Sequence, residues 1–210
     1  MQIIPLSKIT IKDRRIAGGK GAALGELMRA GFPVPKGFVV LTSANLSTSD
    51  VDREIIGEAE KLGKKLAIRS SALIEDGKKH SFAGQFLTLL NVKPENVIDA
   101  IKKVRASGPQ MSVIIQAMVD ADESGVAFSA HPVTGDRTQI VIESVRGLGD
   151  KLVSGKVTPK TTVIKKTARF TGLAKLVMDI ERYFGYPVDI EWTRKGKKYY
   201  SMQARPITTL

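Results

Sequence analysis

Two segments near the end of the chain alternate polar and apolar residues, a pattern of period two that predicts β-strands. They run from Tyr186 to Trp192 and from Tyr199 to Pro206. The connection between them, Arg194–Lys197, is polar and contains one glycine, which favours a short-loop hairpin. The sequence therefore predicts a β-hairpin close to the end of these 210 residues.

The expected register of this hairpin pairs Arg194 with Lys198 and places Asp189 opposite Gln203. Because side chains alternate between the faces of a strand, four polar side chains should share one face: Asp189, Glu191, Gln203 and Arg205. Carboxylate and amide oxygens suit magnesium, and a neighbouring arginine suits the phosphates that magnesium accompanies. The alternative is an exposed hairpin with ordinary surface charges, which is the commoner setting of an isolated Asp-x-Glu pair.

Composition places the chain among globular proteins, as one large domain or two joined lobes. Of the 210 residues, 42% are hydrophobic, which is enough to bury a core. The absence of cysteine excludes disulfides, zinc–thiolate clusters and thiol nucleophiles. The first residues lack a basic start and a long apolar run, and no segment reaches transmembrane length. We therefore expect a cytoplasmic protein with no membrane association.

The formal net charge of +12 is the unusual feature of the composition. Basic proteins bind nucleic acids, anionic membranes or polyphosphate ligands, and charge alone does not separate these classes. Here the lysines and arginines are dispersed, often in pairs, with few aromatic residues between them to stack on bases. We expect a lysine-rich solvated surface and no dedicated role in nucleic-acid binding.

Helical and strand patterns predict an α+β fold with a boundary between two lobes near residue 110. The first lobe, residues 1–110, has predicted helices at 22–30 and 52–64, strands at 38–41, 66–69 and 86–92, and a helix from Pro94. The second lobe, residues 111–210, has predicted strands at 112–119, 125–129, 139–143 and 161–164. A helix from about Gly172 to Phe184 interrupts them, with Thr171 as N-cap and Gly185 as its stop.

A glycine-rich segment, Ala17–Gly25, leads into the first predicted helix. It lacks the Ser or Thr and the early glycine of a Walker loop, and it also departs from the dinucleotide fingerprint. Glycines before a helix still allow backbone amides to approach an anion, and Lys20 could reach a phosphate oxygen. A simple helix-entry turn explains the segment equally well. Arg69, at the end of a predicted strand and before two serines, is a second candidate for phosphate binding.

Nine ordered segments together resemble the ATP-binding domain of the phosphoenolpyruvate synthase and pyruvate phosphate dikinase family. They span nearly the whole chain: GGKGAALGEL, AGFPVPKGFVV, AIRSSA, SFAGQFLT, VIIQAMV, SGVAFSAHPVTG, GLGDKLVSG, DIEW and QARPIT. The resemblance implies an ATP-grasp fold, in which two lobes with antiparallel sheets enclose a nucleotide cleft.

The resemblance also implies a role for individual residues toward ATP and Mg²⁺. Lys20 and Arg69 would hold ATP phosphates, with Gly84 and Thr88 contributing from a phosphate-covering loop. The adenine pocket would be bordered by Gln116 and by the backbone of Ala117, Met118 and Val119. Glu191 and Gln203 would ligate magnesium, with Asp189 as a support or second ligand, and Arg205 would neutralise the transferring phosphoryl group. Lys20, Arg69 and Arg205 are thus the expected catalytic residues. Glu143 or Asp150 would add a contact, although the family usually has Glu at the position of Asp150.

By the same resemblance, we expect a phosphotransferase subunit that passes a phosphoryl group from Mg-ATP to a histidine on a separate protein. A further protein that binds phosphoenolpyruvate or pyruvate would complete the reaction. Neither His80 nor His131 has the surroundings of the family's phosphocarrier histidine, and the sequence ends where that domain would begin. The chain is also shorter than the family domain between Val40 and Leu66 and between Val104 and Ser112. A non-catalytic nucleotide-binding regulator, or a remnant of such an enzyme, is the alternative.

Overall fold

Two separately packed units make up the chain in the computed structural model, which describes residues 2–46, 48–72, 87–108, 110–149, 157–167, 169–208 and 210. The first unit comprises Met1–Gly31 and Pro35–Met118, and the second comprises Phe32–Val34 and Val119–Leu210. The boundary follows Met118 and not residue 110, because the strand Met111–Ala117 is hydrogen-bonded on both sides within the first unit. None of the helices among the described residues is both long and apolar enough to cross a membrane.

The first unit contains an antiparallel five-stranded sheet. Its strands are Ile3–Pro5 (β1), Gly37–Val40 (β2), Leu66–Ala72 (β3), Thr88–Val92 (β4) and Met111–Ala117 (β5). They lie in the order β1-β2-β5-β3-β4, so β5 is the central strand. All seven residues of β3 are buried, as expected for a strand covered on both faces.

One face of this sheet packs against two helices, α2 (Ser49–Leu62) and α3 (Val97–Ala106). The helices contribute apolar side chains at a spacing of about one turn, including Ile55 and Ala59 from α2 and Val97, Ile101 and Val104 from α3. The strands contribute the residues that face the helices, among them Ile68 and Ile115, which are paired across β3 and β5. The helices predicted at 52–64 and from Pro94 are therefore present, and their apolar faces form part of the core of the first unit.

Two segments are expected to be shorter than in the related family, one between Val40 and Leu66 and one between Val104 and Ser112. They contact each other at the end of α3. Arg105 donates from Nη1 to the carbonyl of Ala44 at 2.8 Å and from Nη2 to the carbonyl of Leu41. Burial lowers the pKa of the Arg105 guanidinium, yet its two carbonyl partners keep the group satisfied at those atoms. The turn after β2 is thus fastened to the helix that precedes β5.

The opposite face of the first sheet is polar at its centre and is partly covered by the helix α1 (Arg14–Arg29). The prediction of a helix from Ala22 to Ala30 is correct in its end, since Gly31 follows the helix with φ +84°. The helix begins earlier than predicted and is interrupted at Gly18, whose φ of 75° and ψ of 170° are not helical. Only glycine adopts such a backbone conformation without strain.

The second unit contains another antiparallel sheet of five strands. These are Glu123–Phe128 (β6), Gln139–Arg146 (β7), Lys160–Lys165 (β8), Val188–Lys195 (β9) and Lys198–Pro206 (β10). Their order is β10-β9-β6-β7-β8, which places β9 and β6 at the centre. Every predicted strand of this part of the chain is present.

A further helix of the described residues, α4 (Gly172–Phe184), packs on one face of the second sheet. Its buried residues are Leu173, Ala174, Val177 and Ile180, one stripe of an amphipathic helix. Thr171 is its N-cap residue and Gly185 ends it in the left-handed conformation, as the sequence predicts. The other face of the sheet carries the polar residues of the closing hairpin.

Candidate functional site

The hairpin of β9 and β10 has a tighter turn than the sequence predicts. Lys195 pairs with Lys198, so the turn consists of Gly196 and Lys197 only. Gly196 has φ +57°, the conformation that two-residue hairpin turns require. The predicted pairing of Arg194 with Lys198 is therefore wrong, and so is the pairing of Asp189 with Gln203.

A β-bulge nevertheless brings the four expected polar side chains onto one face. The register of the turn continues to Ser201, which lies opposite Trp192, and then shifts so that Gln203 lies opposite Glu191. Arg205 lies opposite Asp189. Since directly paired residues project to the same side of a sheet, the shift at Met202 places Gln203 and Arg205 on the same face as the two acids. The predicted face is confirmed although its register is not.

Two rows of residues cross this face of the second sheet. The first row runs from Glu143 on β7 through Val126 on β6 to Glu191 and Gln203. The second row includes Asp189 and Arg205, which lie two residues from Glu191 and Gln203 along the same strands. The two acids of the hairpin and the acid of β7 therefore lie within one small region of the sheet.

Asp189 and Arg205 form an ion pair at the centre of this region. Arg205 donates from Nε to Asp189 Oδ2 at 2.8 Å, and its Nη2 lies 2.8 Å from the same oxygen. Asp189 is buried, and burial raises the pKa of its carboxyl group, while Arg205 opposes that rise. The neighbouring charges of Glu191 and Glu143 raise the same pKa. The three carboxylates thus carry more negative charge than Arg205 offsets, an arrangement that favours binding of a cation.

Gln203 supplies a second reason to expect a cation. Its side chain is 6% exposed, and its Oε1 atom is buried without a hydrogen-bond donor among the described residues. A buried acceptor left unsatisfied costs free energy unless a ligand completes it. An amide oxygen beside a carboxylate is a donor set that suits Mg²⁺. Within the described part of the chain, no three His, Cys, Asp or Glu side chains could hold a metal together, so a bound ion would also need oxygen ligands from elsewhere.

In the first unit, the structure brings together Arg69 and Gln116. Both are buried, and Arg69 Nη1 lies 3.5 Å from Gln116 Oε1. Gln116 Nε2 in turn donates to the carbonyl of Pro35 at 3.1 Å. The Gln116 side chain therefore orients Arg69, a role that the sequence did not indicate. Thr88 lies opposite Arg69 in the sheet and is exposed.

The end of β5 makes defined backbone contacts where the adenine pocket is expected. The N–H groups of Ala117 and Met118 donate to the carbonyls of Lys36 and Lys65, at 2.9 and 3.0 Å. The amides of these two residues are therefore already engaged within the protein. Met118 ends the first unit and Val119 begins the second.

The glycine-rich segment is fixed to β3 by Ser71, one of the two serines that follow Arg69. Ser71 Oγ donates to the carbonyl of Ala17 at 2.7 Å and accepts from the N–H of Gly21 at 2.9 Å. Lys20, which is half-buried, lies between these contact points in the sequence. The helix segment that carries Lys20 is therefore anchored two residues beyond Arg69 on the same strand.

Three expected residues lie outside the described part of the chain, namely His80, Gly84 and Asp150. His131 is described and has a local role, because its Nδ1 lies 3.3 Å from the N–H groups of Val133 and Thr134 and accepts from both. The imidazole thus holds the turn that follows it, which agrees with the expectation that His131 is a structural residue.

Residues 45–108 and 105–171 match the AMP/ATP-binding domain of pyruvate phosphate dikinase. The two segments together cover more than half of the 210 residues. The chain belongs to this family. The matched range contains Arg69, Thr88, Gln116 and Glu143, while Lys20 and the closing hairpin lie outside it.

Relatives of known name extend the likeness to those regions. A probable phosphoenolpyruvate synthase of Methanocaldococcus jannaschii is 31% identical over 98% of this chain and 26% of its own length. The phosphoenolpyruvate synthase of Aeropyrum pernix is 34% identical over 79% of this chain and 28% of its own length. The chain thus spans about a quarter of these relatives. The first alignment extends over 314 positions, so more than a hundred positions have no counterpart in this chain of 210 residues.

Solved structures give the fold. A RimK domain protein with an ATP-grasp fold, from Sphaerobacter thermophilus, superimposes with a TM-score of 0.55 at 15% identity. That similarity covers 93% of this chain and 61% of the other. With its two antiparallel five-stranded sheets and flanking helices, the chain has the ATP-grasp fold that the resemblance implies.

Proposed function

We propose that the chain binds Mg-ATP and acts as a phosphotransferase component that passes a phosphoryl group to a histidine on a partner protein. The observation that carries the proposal is the pairing of Glu191 with Gln203, whose buried oxygen lacks a donor among the described residues. In a chain of an AMP/ATP-binding family, an unsatisfied oxygen beside a carboxylate is best explained as a ligand for nucleotide-bound magnesium.

The metal would be held by Glu191 and Gln203, with Asp189 as a support or second ligand. Bound Mg²⁺ would neutralise charge on the phosphate oxygens and so favour their transfer. Asp189 keeps the guanidinium of Arg205 fixed by the ion pair at 2.8 Å. A guanidinium held in this way can meet a phosphoryl oxygen without first losing conformational freedom.

The phosphates would be bound by Lys20 and Arg69, with Gly84 and Thr88 as further contacts. Arg69 is suited to this role because it is buried and is oriented by Gln116. A buried guanidinium interacts with an anion more strongly than an exposed one, since less water screens it. The adenine would lie against Gln116, Met118 and Val119.

The acceptor would be a histidine outside these 210 residues, on a separate protein, and a phosphoenolpyruvate- or pyruvate-binding protein would complete the reaction. Two observations support this part of the proposal. Relatives named phosphoenolpyruvate synthase are several times longer than the stretch that matches this chain. In addition, His131 is engaged with backbone amides of its own turn.

The test is AMP formation from ATP by the purified chain with Mg²⁺, with and without candidate histidine-domain proteins. Transfer of the β-phosphoryl group to the histidine, with the γ-phosphoryl group released to water as inorganic phosphate, leaves AMP. The proposal therefore predicts AMP, inorganic phosphate and a phosphohistidine on the partner only when both proteins are present, and loss of all three products in Lys20→Ala and Glu191→Ala. ATP binding without AMP formation under every partner condition would instead support the non-catalytic regulator. Glu58→Ala, a change at an exposed surface of α2, is the control that should leave turnover unaltered.

A further inference from the structure

The interruption of α1 at Gly18 has a specific chemical cause. In an α-helix the carbonyl of Ala17 would accept the N–H of Gly21, four residues later. Here the hydroxyl of Ser71 stands between them, donating to Ala17 O at 2.7 Å and accepting from Gly21 N at 2.9 Å. Insertion of a side chain into the helical hydrogen-bond ladder is a known cause of kinks. A residue from β3 thus replaces one hydrogen bond of α1.

The insertion depends on two glycines. A Cβ atom on Gly18 would lie 2.1 Å from the carbonyl oxygen of Ser71, and Gly18 also has φ +75°. A Cβ on Gly21 would lie 3.3 Å from Ser71 Oγ, a tight contact. The glycine-rich segment is therefore shaped to receive this one hydroxyl, which distinguishes it from a simple helix-entry turn.

Ser71 also connects two separate cations of the first unit. It lies two residues after Arg69 on β3, so the two side chains project from the same face of the strand. Its acceptor contact is with Gly21, the residue next to Lys20. The backbone next to Lys20 is thus tied to the strand of Arg69 by a buried hydroxyl that is 50 residues away in the sequence.

We propose that Ser71 is a positioning residue that holds Lys20 at the correct place relative to Arg69 for binding a triphosphate. This inference rests on the proposed ATP function. Without the hydroxyl, Ala17 O and Gly21 N can form their ordinary helical hydrogen bond. The kink at Gly18 then relaxes, and the helix segment that carries Lys20 changes its position relative to Arg69 on β3.

The test compares Ser71→Ala with Ser112→Ala by calorimetric binding of ATP and adenosine. Ser112 is a matched control, because its hydroxyl also anchors α1, donating to Ile16 O at 2.6 Å, but on the other side of the Gly18 kink from Lys20. We expect Ser71→Ala to weaken ATP binding about tenfold and to leave adenosine binding unchanged. Ser112→Ala should lower thermal stability without changing the ratio of ATP to adenosine affinity.

A double-mutant cycle tests whether Ser71 acts through Lys20. If it does, adding Ser71→Ala to Lys20→Ala should cause less than a twofold further loss of ATP affinity. Should Ser71→Ala fail to fold, the isosteric pair Ser71→Thr and Ser71→Val isolates the hydroxyl, and only the threonine variant should keep ATP selectivity.

The outcomes separate this inference from the function on which it rests. A wild-type chain that binds ATP no better than adenosine overturns both. A wild-type chain that prefers ATP, together with a Ser71→Ala variant that keeps the same preference, overturns only the role of Ser71. Full additivity of the Ser71 and Lys20 effects would also overturn it, because the hydroxyl would then act independently of the lysine.

Discussion

Glu191 lies directly opposite Gln203 on neighbouring strands, and the amide oxygen of Gln203 is buried without a donor among the described residues. Burial of an acceptor without a partner costs free energy, so this pair is a feature of the second unit that a bound cation would stabilise. The ion pair of Asp189 with Arg205 lies two residues away along the same two strands.

Replacing Gln203 with leucine should separate stability from function. The change keeps the side-chain volume and removes an oxygen whose burial without a partner costs about 1–3 kcal/mol. We therefore expect the free energy of unfolding without metal to be at least that of the wild type, while the Mg²⁺-dependent part of ATP affinity falls. Urea denaturation and calorimetry measure the two quantities, and a clear loss of stability would contradict the assignment.

Replacing Arg205 with methionine should destabilise the second unit at neutral pH. The variant leaves the buried Asp189 carboxylate without its cation, a loss of about 2 kcal/mol after allowance for the partial exposure of Arg205. Because burial already raises the pKa of Asp189, the cost belongs to the ionised form. It should therefore shrink as the pH falls and Asp189 becomes protonated.

Urea denaturation at neutral and acidic pH tests this dependence. Arg182→Met is the matched control, since Arg182 pairs with Asp179 at 3.2 Å on an exposed surface. It should change the free energy of unfolding by less than about 0.5 kcal/mol. Equal effects of the two variants would show that the buried pair has no special weight.

The stability of the hairpin should depend on pH at values below the ordinary pKa of the Asp122 carboxyl group. Its carboxylate accepts the N–H of Gly196 at 2.7 Å and the ammonium of Lys195 at 3.1 Å. These contacts, with the backbone amide first, lower the pKa of Asp122 from its usual value of 3.8. The stabilisation is thus complete above 3.8 and is lost as the pH falls through the lower, folded-state pKa.

The Asp122→Asn variant should therefore be less stable than the wild type at neutral pH and equally stable at strongly acidic pH. Asp120→Asn is the control, because Asp120 reaches the same Lys195 from a side chain that is 97% exposed. A stability difference for Asp122→Asn that stays constant with pH would contradict the prediction.

Two glycine-to-alanine substitutions in helices should have opposite effects. Gly18→Ala places a methyl group 2.1 Å from a backbone oxygen at a residue with positive φ, so we expect a loss of about 2–4 kcal/mol. Gly57 of α2 has no atom within 4 Å of an added Cβ. Gly57→Ala should therefore raise the free energy of unfolding by about 0.5–1 kcal/mol. Thermal or urea denaturation measures both.

The face of the closing hairpin could be predicted from its sequence because strand periodicity depends only on neighbouring residues. The register could not, since the turn at Gly196 and the bulge at Met202 each shift it. The predicted register placed Asp189, Glu191, Gln203 and Arg205 on one face, as the observed register does, because both have the same parity. The pairing is therefore predicted wrongly, but the four residues on the shared face are predicted correctly.

Contacts between segments that are distant in the sequence could not be predicted, for a different reason. Ser71 and Gly21 are 50 residues apart, and Arg69 and Gln116 are 47 apart. No local pattern indicates which hydroxyl will enter which helix, or which amide will orient an arginine. The lobe boundary was also placed too early, because the pairing of β5 with β2 and β3 is a long-range property.

The central claim is that Glu191 helps to hold magnesium bound to ATP. Its most direct test is calorimetric titration with ATP of the wild type, Glu191→Gln and Glu123→Gln, each in the presence of Mg²⁺ and then of EDTA. Glu123 lies on the same sheet, pairs with Arg194 at 3.2 Å and faces away from Glu191, so its variant is the control. The account predicts that Mg²⁺ raises ATP affinity at least about tenfold in the wild type and in Glu123→Gln, and much less in Glu191→Gln. Equal ATP affinity with Mg²⁺ and with EDTA in the wild type would contradict it.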